Sequence, residues 1–448
     1  MQIENKKYKL SIKDQFKNFP VSKLADILRN YITISFLKKK HSQLKYKVED
    51  GEIVEIFIEK EPLITLPEFI EYFSSLRSLT LKNCSLHALP ESIGAFKYLE
   101  LLDLEGNSLK SLPKSISFLT SLKSLNLSKN DLIKIPFPIG GLYRLNNFDL
   151  ENNKLIQLPK SMGYLSSLIL LNVSRNNLKT LPSSIGSLKT LQNLQLSFNR
   201  IISLPESIGL LYSLENLNLD NNELTNLPSS INSISSLKML SLEDNELKDL
   251  PNSLNLLMSL EILKLGWNQL KKLPDSIGSM KSLKYLRLTS NQIQNFPDSI
   301  CLLSSLEWLD ASENQINMLP EQVGKLKALK VLKLSDNQIT LLPDSICLLG
   351  KLEKLDFCSN EIEFLPKAIN SLSSLKEIWL NGNRLRSLPT SIGNLPLLKK
   401  LKLVNNKNLT YLPKSLENMP SLDISVNWNI VENSSEFIKF FKKELLYK

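Results

Sequence analysis

One 23-residue unit recurs along most of the chain, and this period constrains the fold more than any other feature of the sequence. A proline returns in step fifteen times between Pro67 and Pro389, and Pro413 follows one residue late. An asparagine precedes these prolines by six residues throughout the stretch from Asn107 to Asn383. Such strict periodicity over so many units predicts a stacked array rather than a single globular core.

Each part of the unit, which reads LxxLxLxxNxLxxLPxSIGxLxx, has a physical role. Apolar residues two apart place their side chains on one face of a short strand, and stacked units predict a parallel sheet lining a concave side. The asparagine amide can bond backbone groups at the turn, so we expect a ladder of buried asparagines. The proline and the following Ser-Ile-Gly predict a short helical or 3-10 turn on the convex side. The predicted fold class is an α/β solenoid, or horseshoe, because no unit can bury its apolar side alone.

The limits of the period divide the chain into three predicted segments. Residues 51–430 form an array of about seventeen rungs, with a degenerate first rung over residues 53–67 and a shortened last one over residues 424–429. Residues 1–50 form a basic N-terminal cap, and residues 431–448 predict a C-terminal capping helix. The N-terminal cap is expected to contain an amphipathic helix over residues 22–37, with Ser22 as its N-cap. Its apolar side is predicted to consist of Leu24, Ile27, Leu28 and Tyr31.

Charge is concentrated at the N-terminus. The net charge is +10, but residues 1–50 hold twelve Lys/Arg and five Asp/Glu, or +7, which leaves +3 for the other 398 residues. The repeat array therefore lacks the basic stripe that a nucleic-acid backbone requires. The sequence contains no run of 18 apolar residues and no apolar N-terminal stretch typical of a secretory signal, so we expect a cytoplasmic protein.

The sequence predicts no catalytic residues, no cofactor and no metal site. The only two histidines, His41 and His87, are isolated and are expected to be dispensable. Glycine-rich phosphate-binding motifs are absent. We expect four free thiols: Cys84 in the asparagine place, Cys301 and Cys347 two rungs apart and too distant for a disulfide, and Cys358 facing solvent.

Between Ile53 and Asn429 the chain resembles the leucine-rich-repeat family. Its LPxSIGxLxxLxxLxLxxNxL units are similar to the 23-residue class of Shoc/Sur-type, Ras-suppressor and Scribble-like proteins. The resemblance covers more than four-fifths of the chain and is specific for fold. It implies a non-catalytic scaffold in signal transduction, and it makes a small GTPase or its regulator a candidate partner.

The partner surface is predicted on the concave face, where the third, fifth and seventh places of each unit are free to vary. The third place is occupied by large apolar residues in five consecutive rungs, and Trp, Tyr and Arg are frequent interface anchors. We place the centre at Tyr285, Arg287 and Trp308. The full predicted set is Met239, Ile262, Trp267, Tyr285, Arg287, Trp308, Val331 and Trp379. An alternative interpretation is cross-strand packing that only stiffens the sheet.

The second place alternates in sign without a slip from Glu215 to Lys376. Each charge is therefore expected between two opposite ones, an arrangement that we assign to assembly of the solenoid rather than to docking.

Two other functions stay open at this stage. A sensor or regulatory module could recognise a small ligand in the groove, provided that a pocket with convergent polar groups is present. The basic N-terminus could bind nucleic acid, which would make affinity fall steeply with salt.

Overall fold

The computed structural model describes residues 21–66 and 68–427. The basic residues 1–20, Asn429 of the last predicted rung and the C-terminal helix predicted over residues 431–448 lie outside the described residues. The chain divides into two compact units, with the boundary between Asn176 and Asn177.

The first unit begins with helix α1, Val21–Lys40, which ends on three lysines. The helix therefore starts before Ser22, and the prediction of Ser22 as its N-cap is wrong. The buried side of α1 is Ile27, Asn30, Ile34 and Leu37, whereas Leu28 and Tyr31 are exposed. The buried side of α1 is therefore rotated about the helix axis relative to the predicted apolar side. Only the side chains that point at the first rung are buried, and not every apolar residue of the helix does so.

An antiparallel hairpin that the repeat pattern did not predict follows α1. Strand β1, Lys45–Glu49, pairs with β2, Glu52–Glu59, which is also the first strand of the array. The connection is Asp50-Gly51, with φ of 48° and 83°, a dipeptide typical of a tight hairpin turn. The degenerate first rung is confirmed, since Ile53, Ile56 and Ile58 are all buried.

Seventeen parallel strands follow the 23-residue period in the described residues, six in the first unit and eleven in the second. In the first unit they are β2, β3 (Ser78–Lys82), β4 (Leu101–Asp103), β5 (Ser124–Asn126), β6 (Asn147–Asp149) and β7 (Leu170–Asn172). In the second unit they are β8 (Asn193–Gln195), β9 (Asn216–Asn218), β10 (Met239–Ser241), β11 (Ile262–Lys264), β12 (Tyr285–Arg287), β13 (Trp308–Asp310), β14 (Val331–Lys333), β15 (Lys354–Asp356), β16 (Glu377–Trp379), β17 (Lys400–Lys402) and β18 (Asp423–Ser425). The predicted leucine-rich-repeat solenoid is confirmed.

A short 3-10 helix on the side away from the strands completes each rung, and in most rungs the repeat proline directly precedes it with φ near −70°. In the first unit these helices are Glu68–Tyr72, Glu91–Ala95, Lys114–Phe118, Phe137–Gly141 and Lys160–Tyr164. In the second unit they are Ser183–Ser187, Glu206–Leu210, Ser229–Ser233, Asn252–Leu256, Asp275–Ser279, Asp298–Leu302, Val323–Lys325, Asp344–Leu348, Ile369–Ser371, Thr390–Asn394 and Lys414–Asn418. The isoleucine of the Ser-Ile-Gly motif, such as Ile277, is buried against the strands.

The asparagine ladder has the predicted chemistry. Asn222 is 8% exposed, and its Oδ1 accepts the backbone N–H of Ile201 at 3.0 Å. Its Nδ2 donates to the carbonyl oxygens of Leu196 and Leu219, each at 3.0 Å. The same bonds recur along each unit and fasten every turn to the rung before it. The ladder thus satisfies backbone groups that would otherwise be buried without partners.

The residue just before the ladder asparagine adopts a left-handed conformation in rung after rung. Its φ is 56° at Asn221 and 52° at Trp267, and glycine stands there only at Gly106 and Gly382. Left-handed backbone is unfavourable for most side chains, least so for glycine and asparagine. The turn therefore imposes this conformation on whichever residue occupies the place.

The alternating charges at the second place form separate pairs rather than one continuous ladder. The lysine of each pair contacts the glutamate of the preceding rung, and the described residues show no ion pair to the glutamate of the following one. Each charge nevertheless lies between two opposite ones, as expected, since both Lys330 and Lys284 act to lower the pKa of Glu307. Both Glu307 and Glu353 likewise act to raise the pKa of Lys330, but only one of the two neighbours is in direct contact. The pairs are Lys238–Glu215 (2.9 Å), Lys284–Glu261 (2.9 Å), Lys330–Glu307 (2.6 Å) and Lys376–Glu353 (2.7 Å).

The four cysteines are free thiols. Cys84 is fully buried in the asparagine place, where its Sγ donates to the Lys82 carbonyl oxygen at 3.2 Å. Burial raises the pKa of Cys301 and of Cys347 to about 11. Cys358 is half-buried rather than solvent-facing, and burial raises its pKa to about 12.

Candidate functional site

Five neighbouring strands of the second unit bring the predicted apolar residues side by side. Strands β10 to β14 pair in parallel register, so their third-place residues form one row on the face of the sheet opposite the leucine core. We call this face the open sheet face. We call the row the central patch: Met239, Ile262, Tyr285, Trp308 and Val331, all half-buried.

The aromatic pair at the middle of the central patch is stacked. The ring centroids of Tyr285 and Trp308 lie 5.7 Å apart with an interplanar angle of 19°. Burial raises the pKa of the Tyr285 phenol, so this group stays neutral at physiological pH. Stacked pairs of this kind stabilise by about 0.5–1.5 kcal/mol beyond their area burial. Trp308 therefore lies against the sheet instead of projecting freely outward, and part of its role is structural.

A cation lies over each tryptophan ring in the described residues. The Arg287 guanidinium is 4.6 Å from the Trp267 ring centroid, and Lys333 Nζ is 4.7 Å from that of Trp308. Cation–π contacts of this geometry are attractive and restrict both side chains. The face thus presents flat aromatic surface together with positive charge at fixed positions.

Arg287 is held on several sides. Its Nη1 lies 3.0 Å from Glu243 Oε1, and its Nε contacts the hydroxyl of Thr289 at 3.4 Å. Burial raises the pKa of Glu243, while the nearby Arg287 acts in the opposite direction. A guanidinium held in this way loses little conformational entropy on binding.

Trp267 occupies the left-handed place of its rung, with φ of 52°, and 45% of its side chain is exposed. A bulky residue in this conformation is an outlier whose local cost must be offset elsewhere. Its contact with Arg287 supplies part of that offset.

Trp379 is predicted in the same set, but it lies apart from the central patch. Its strand, β16, is separated from Val331 on β14 by β15. Lys354 Nζ lies 3.3 Å from the Trp379 ring centroid and 3.5 Å from Glu377 Oε2. The structure therefore brings six of the eight predicted residues onto strands β10 to β14, with Trp267 on the turn after β11, and places Trp379 in a second cluster with Lys354.

Two indole groups on this face lack a hydrogen-bond acceptor within the described part of the chain. Nε1 of Trp308 and Nε1 of Trp379 are buried without a partner. An unsatisfied buried donor costs about 1–3 kcal/mol. Each of these N–H groups is a donor that an acceptor on a bound molecule would satisfy.

Sequence reasoning missed three residues that shape this surface, namely Glu243, Lys333 and Lys354. The signal was available, because each stands at the third, fifth or seventh place within two rungs of the aromatic residue or arginine that it contacts. The repeat numbering gives neighbouring positions, whereas the direction in which a long side chain turns depends on packing.

The histidines differ from each other. His87 is exposed, as expected. His41 is 7% exposed, and its Nδ1 lies 3.4 Å from Glu61 Oε2. The same glutamate accepts hydrogen bonds from the Ser42 hydroxyl and the Gln43 N–H, each at 2.7 Å. His41 is thus buried at the joint between α1 and the first rung, and its dispensability stays a prediction.

Residues 21–66 and 68–427 contain no cluster of three or more His, Cys, Asp or Glu side chains that could hold a metal ion. The two best-formed cavities, of about 300 and 310 Å³, are lined by the hairpin residues Lys45 and Phe57 and by the α1 residues Ile32 and Phe36. Their linings include no residue of the central patch. No helix among the described residues is long and apolar enough to cross a membrane.

Sequence profiles of known families match much of the chain. The profile described as a leucine-rich repeat region matches residues 137–223 and 298–383. Two further leucine-rich-repeat profiles match residues 74–132 and 259–316, and residues 374–395. A comparison with curated proteins gives no match.

Several solved structures are similar to this chain. A leucine-rich-repeat protein of Leptospira interrogans is 33% identical, with 86% of this chain and 94% of that chain covered and a TM-score of 0.72. The Arabidopsis receptor kinase HAESA, in complex with the peptide hormone IDA and the co-receptor SERK1, is 26% identical, with coverages of 84% and 73% and a TM-score of 0.59. YopM from Yersinia enterocolitica is 26% identical, with coverages of 83% and 78% and a TM-score of 0.57.

The repeated strand, asparagine turn and 3-10 helix define a solenoid of short parallel β-rungs. With these profile matches and the similarity to the Leptospira protein, the chain belongs to the leucine-rich-repeat family.

Proposed function

We propose that this chain is a non-catalytic protein-interaction module that binds a partner protein through the central patch of the open sheet face. The observation that carries the proposal is the row of five apolar or aromatic side chains on consecutive strands, beside a guanidinium held by Glu243 and Trp267. Aromatic anchors with a fixed arginine are typical of the centres of protein interfaces. A stripe of this kind is also unusual on a surface with no partner.

Two further considerations support the proposal. The HAESA receptor was solved with a peptide hormone, so a related repeat array binds a polypeptide. The stacking of Tyr285 on Trp308 fits both binding and the alternative of sheet stiffening. Sheet stiffening does not account for Trp267, which lies on the turn after β11 and is 45% exposed. A small GTPase as the partner and a cytoplasmic location stay predictions that rest on the sequence.

The test is quantitative affinity capture from the source cell with the parent chain and the Trp308→Ala variant side by side, followed by mass spectrometry. A binding protein captured by the parent should then bind the variant at least about 30-fold more weakly, which corresponds to 2 kcal/mol or more. Asn147→Ala, at the same repeat place in the first unit, serves as the matched control and should bind like the parent. Circular dichroism at the assay temperature establishes that both variants are folded. Equal binding by the Trp308 variant, with loss in the Asn147 variant, would place the site elsewhere.

A further inference from the structure

A second exposed apolar stripe runs along the side of the second unit that carries the 3-10 helices. Its members are the last residues of alternate 3-10 helices: Leu210, Leu256, Leu302 and Leu348. They are 43%, 54%, 48% and 59% exposed. The rungs between them carry Ser233, Ser279 and Lys325 at the same place, all exposed. A large apolar residue thus alternates with a small or polar one, with a period of two rungs.

The alternation continues a pattern of the first unit, where Phe118 and Tyr164 stand at this place and are 66% and 69% exposed. Ala95 and Gly141 occupy it in the intervening rungs. Core packing does not require the pattern, because a buried apolar residue two positions earlier and another one position later are present in both kinds of rung. The stripe is therefore apolar surface that the fold itself does not use.

Lysines fix three of the four leucine-bearing rungs of the second unit to the rungs before them, those of Leu210, Leu302 and Leu348. Lys281 Nζ donates to the Leu302 carbonyl oxygen at 2.7 Å, and Lys327 Nζ donates to that of Leu348 at 3.0 Å. These lysines are engaged by the backbone. The Leu302 and Leu348 rungs, which lie two rungs apart, are therefore held by the same contact.

A column of carboxylates runs beside the stripe at the start of the same turns. Asp275, Asp298, Glu321 and Asp344 occupy this place in four consecutive rungs, and all are exposed. None of them forms an ion pair within residues 21–66 and 68–427. The surface thus combines evenly spaced leucines with a negative edge.

We propose that this surface, Leu210 to Leu348 with its acidic edge, binds an amphipathic α-helix of a partner protein. Strand spacing sets alternate rungs about 10 Å apart at the sheet and at least that far apart on the 3-10 side, and seven residues of an α-helix rise about 10.5 Å. A helix laid along the stripe therefore presents one apolar side chain per heptad to each gap above Ser233, Ser279 or Lys325, as knobs enter holes. Lysines or arginines along one edge of that helix face the four carboxylates. Six rungs span about 29 Å, which matches a helix of about twenty residues.

A second copy of the chain fits less well, because a two-fold pairing that sets leucine against serine also sets the acidic columns against each other.

The probe is a fluorescently labelled synthetic helix with leucine at every seventh position and lysines along one edge, titrated with the full chain and read by anisotropy. The variant is Leu256→Ser/Leu302→Ser/Leu348→Ser, which installs the residue of the intervening rungs. The matched control is Met318→Ser/Leu341→Ser, which removes two apolar side chains of similar exposure (61% and 65%) from another part of the surface. A second probe of identical composition carries its leucines at every fifth position.

We expect the triple variant to bind the heptad probe at least tenfold more weakly than the parent, and the Met318/Leu341 control to bind like the parent. The respaced probe should also bind the parent at least tenfold more weakly. Equal affinity for the two probes, equal binding by the triple variant, or no binding by the parent overturns the proposal. Light scattering distinguishes the other occupant: a parent dimer that the triple variant abolishes would assign the stripe to self-association and overturn the helix.

Discussion

Replacing the buried Asn222 with leucine isolates the contribution of a single step of the asparagine ladder. The change removes an acceptor from the Ile201 N–H, which then has no partner in the interior. It also removes donors from the carbonyl oxygens of Leu196 and Leu219. These carbonyls keep one amide each, because Asn199 donates to Leu196 at 3.0 Å and Asn245 donates to Leu219 at 2.9 Å.

The expected loss of stability follows from the one N–H group that loses its only partner and the two carbonyl oxygens that each keep one. One orphaned N–H costs about 1–3 kcal/mol, and the two remaining bonds contribute about 0.5–1.5 kcal/mol each at most. We therefore expect Asn222→Leu to destabilise the chain by about 3 kcal/mol. Equilibrium denaturation followed by circular dichroism measures the change, and hydrogen exchange at the Ile201 amide localises it.

Asn147→Leu makes the same substitution on the exposed side of β6 and is the matched control for this experiment. A surface change of this kind should shift the free energy of unfolding by no more than about 0.5 kcal/mol. If the Asn222 and Asn147 variants have the same free energy of unfolding, or if hydrogen exchange at the Ile201 amide is unchanged, the hydrogen bonds of Asn222 do not stabilise the rungs.

Three other outcomes follow from the contacts. Lys330→Glu should lower the melting temperature measured by calorimetry, and Glu307→Lys combined with it should restore part of the loss, because these two side chains are in direct contact; no recovery would show that the flanking charges Lys284 and Glu353 outweigh that contact. The cysteine thiols of the folded protein should resist alkylation at pH 8, and Cys358 should do so because its raised pKa keeps its thiol protonated. Rapid alkylation of the folded protein, detected by mass spectrometry, would contradict this. Hydrogen bonding by Ser42 lowers the pKa of Glu61 in the folded chain. The contribution of ionised Glu61 to the free energy of unfolding is therefore fully present above the unfolded pKa of about 4.3, and it is lost as the pH falls through the folded pKa. Glu61→Gln should therefore speed hydrogen exchange in the N-terminal hairpin at pH 7 but not at pH 3, and an equal effect at both would refute the assignment.

The sequence predicts the interior of this fold well. The leucines and asparagines of the unit each have one possible place in a stacked rung, so Asn222 and Ile277 lie where the period puts them. The hairpin turn at Asp50-Gly51 could also have been predicted, since this typical turn dipeptide separates two stretches in which apolar and polar residues alternate. It lies outside the 23-residue repeat.

The open sheet face was harder to predict, because its side chains are ordered by neighbours rather than by the repeat. The period places Trp308 beside Tyr285, yet only packing decides that the rings stack and that Lys333 covers the indole. The left-handed conformation of Trp267 has no signal in its own residue type, since glycine is rare at that place. The partition of α1 into buried Ile27 and exposed Leu28 likewise depends on what the first rung offers.

The pairing of rungs imposes a parity rule on how this array can change length. The Glu261–Lys284 ion pair and the Lys281 bond to the Leu302 carbonyl join the same two rungs, and the pattern returns 46 residues later at Glu307–Lys330 and Lys327–Leu348. Loss or gain of a single 23-residue rung inside this region would set lysine beside lysine and leucine beside leucine at the splice, or glutamate beside glutamate and two small or polar residues together, although every core position would still match. Removal of two rungs would restore both sequences of contacts. The smallest segment that can be removed or inserted here without breaking these contacts is therefore 46 residues long, which is twice the 23-residue repeat.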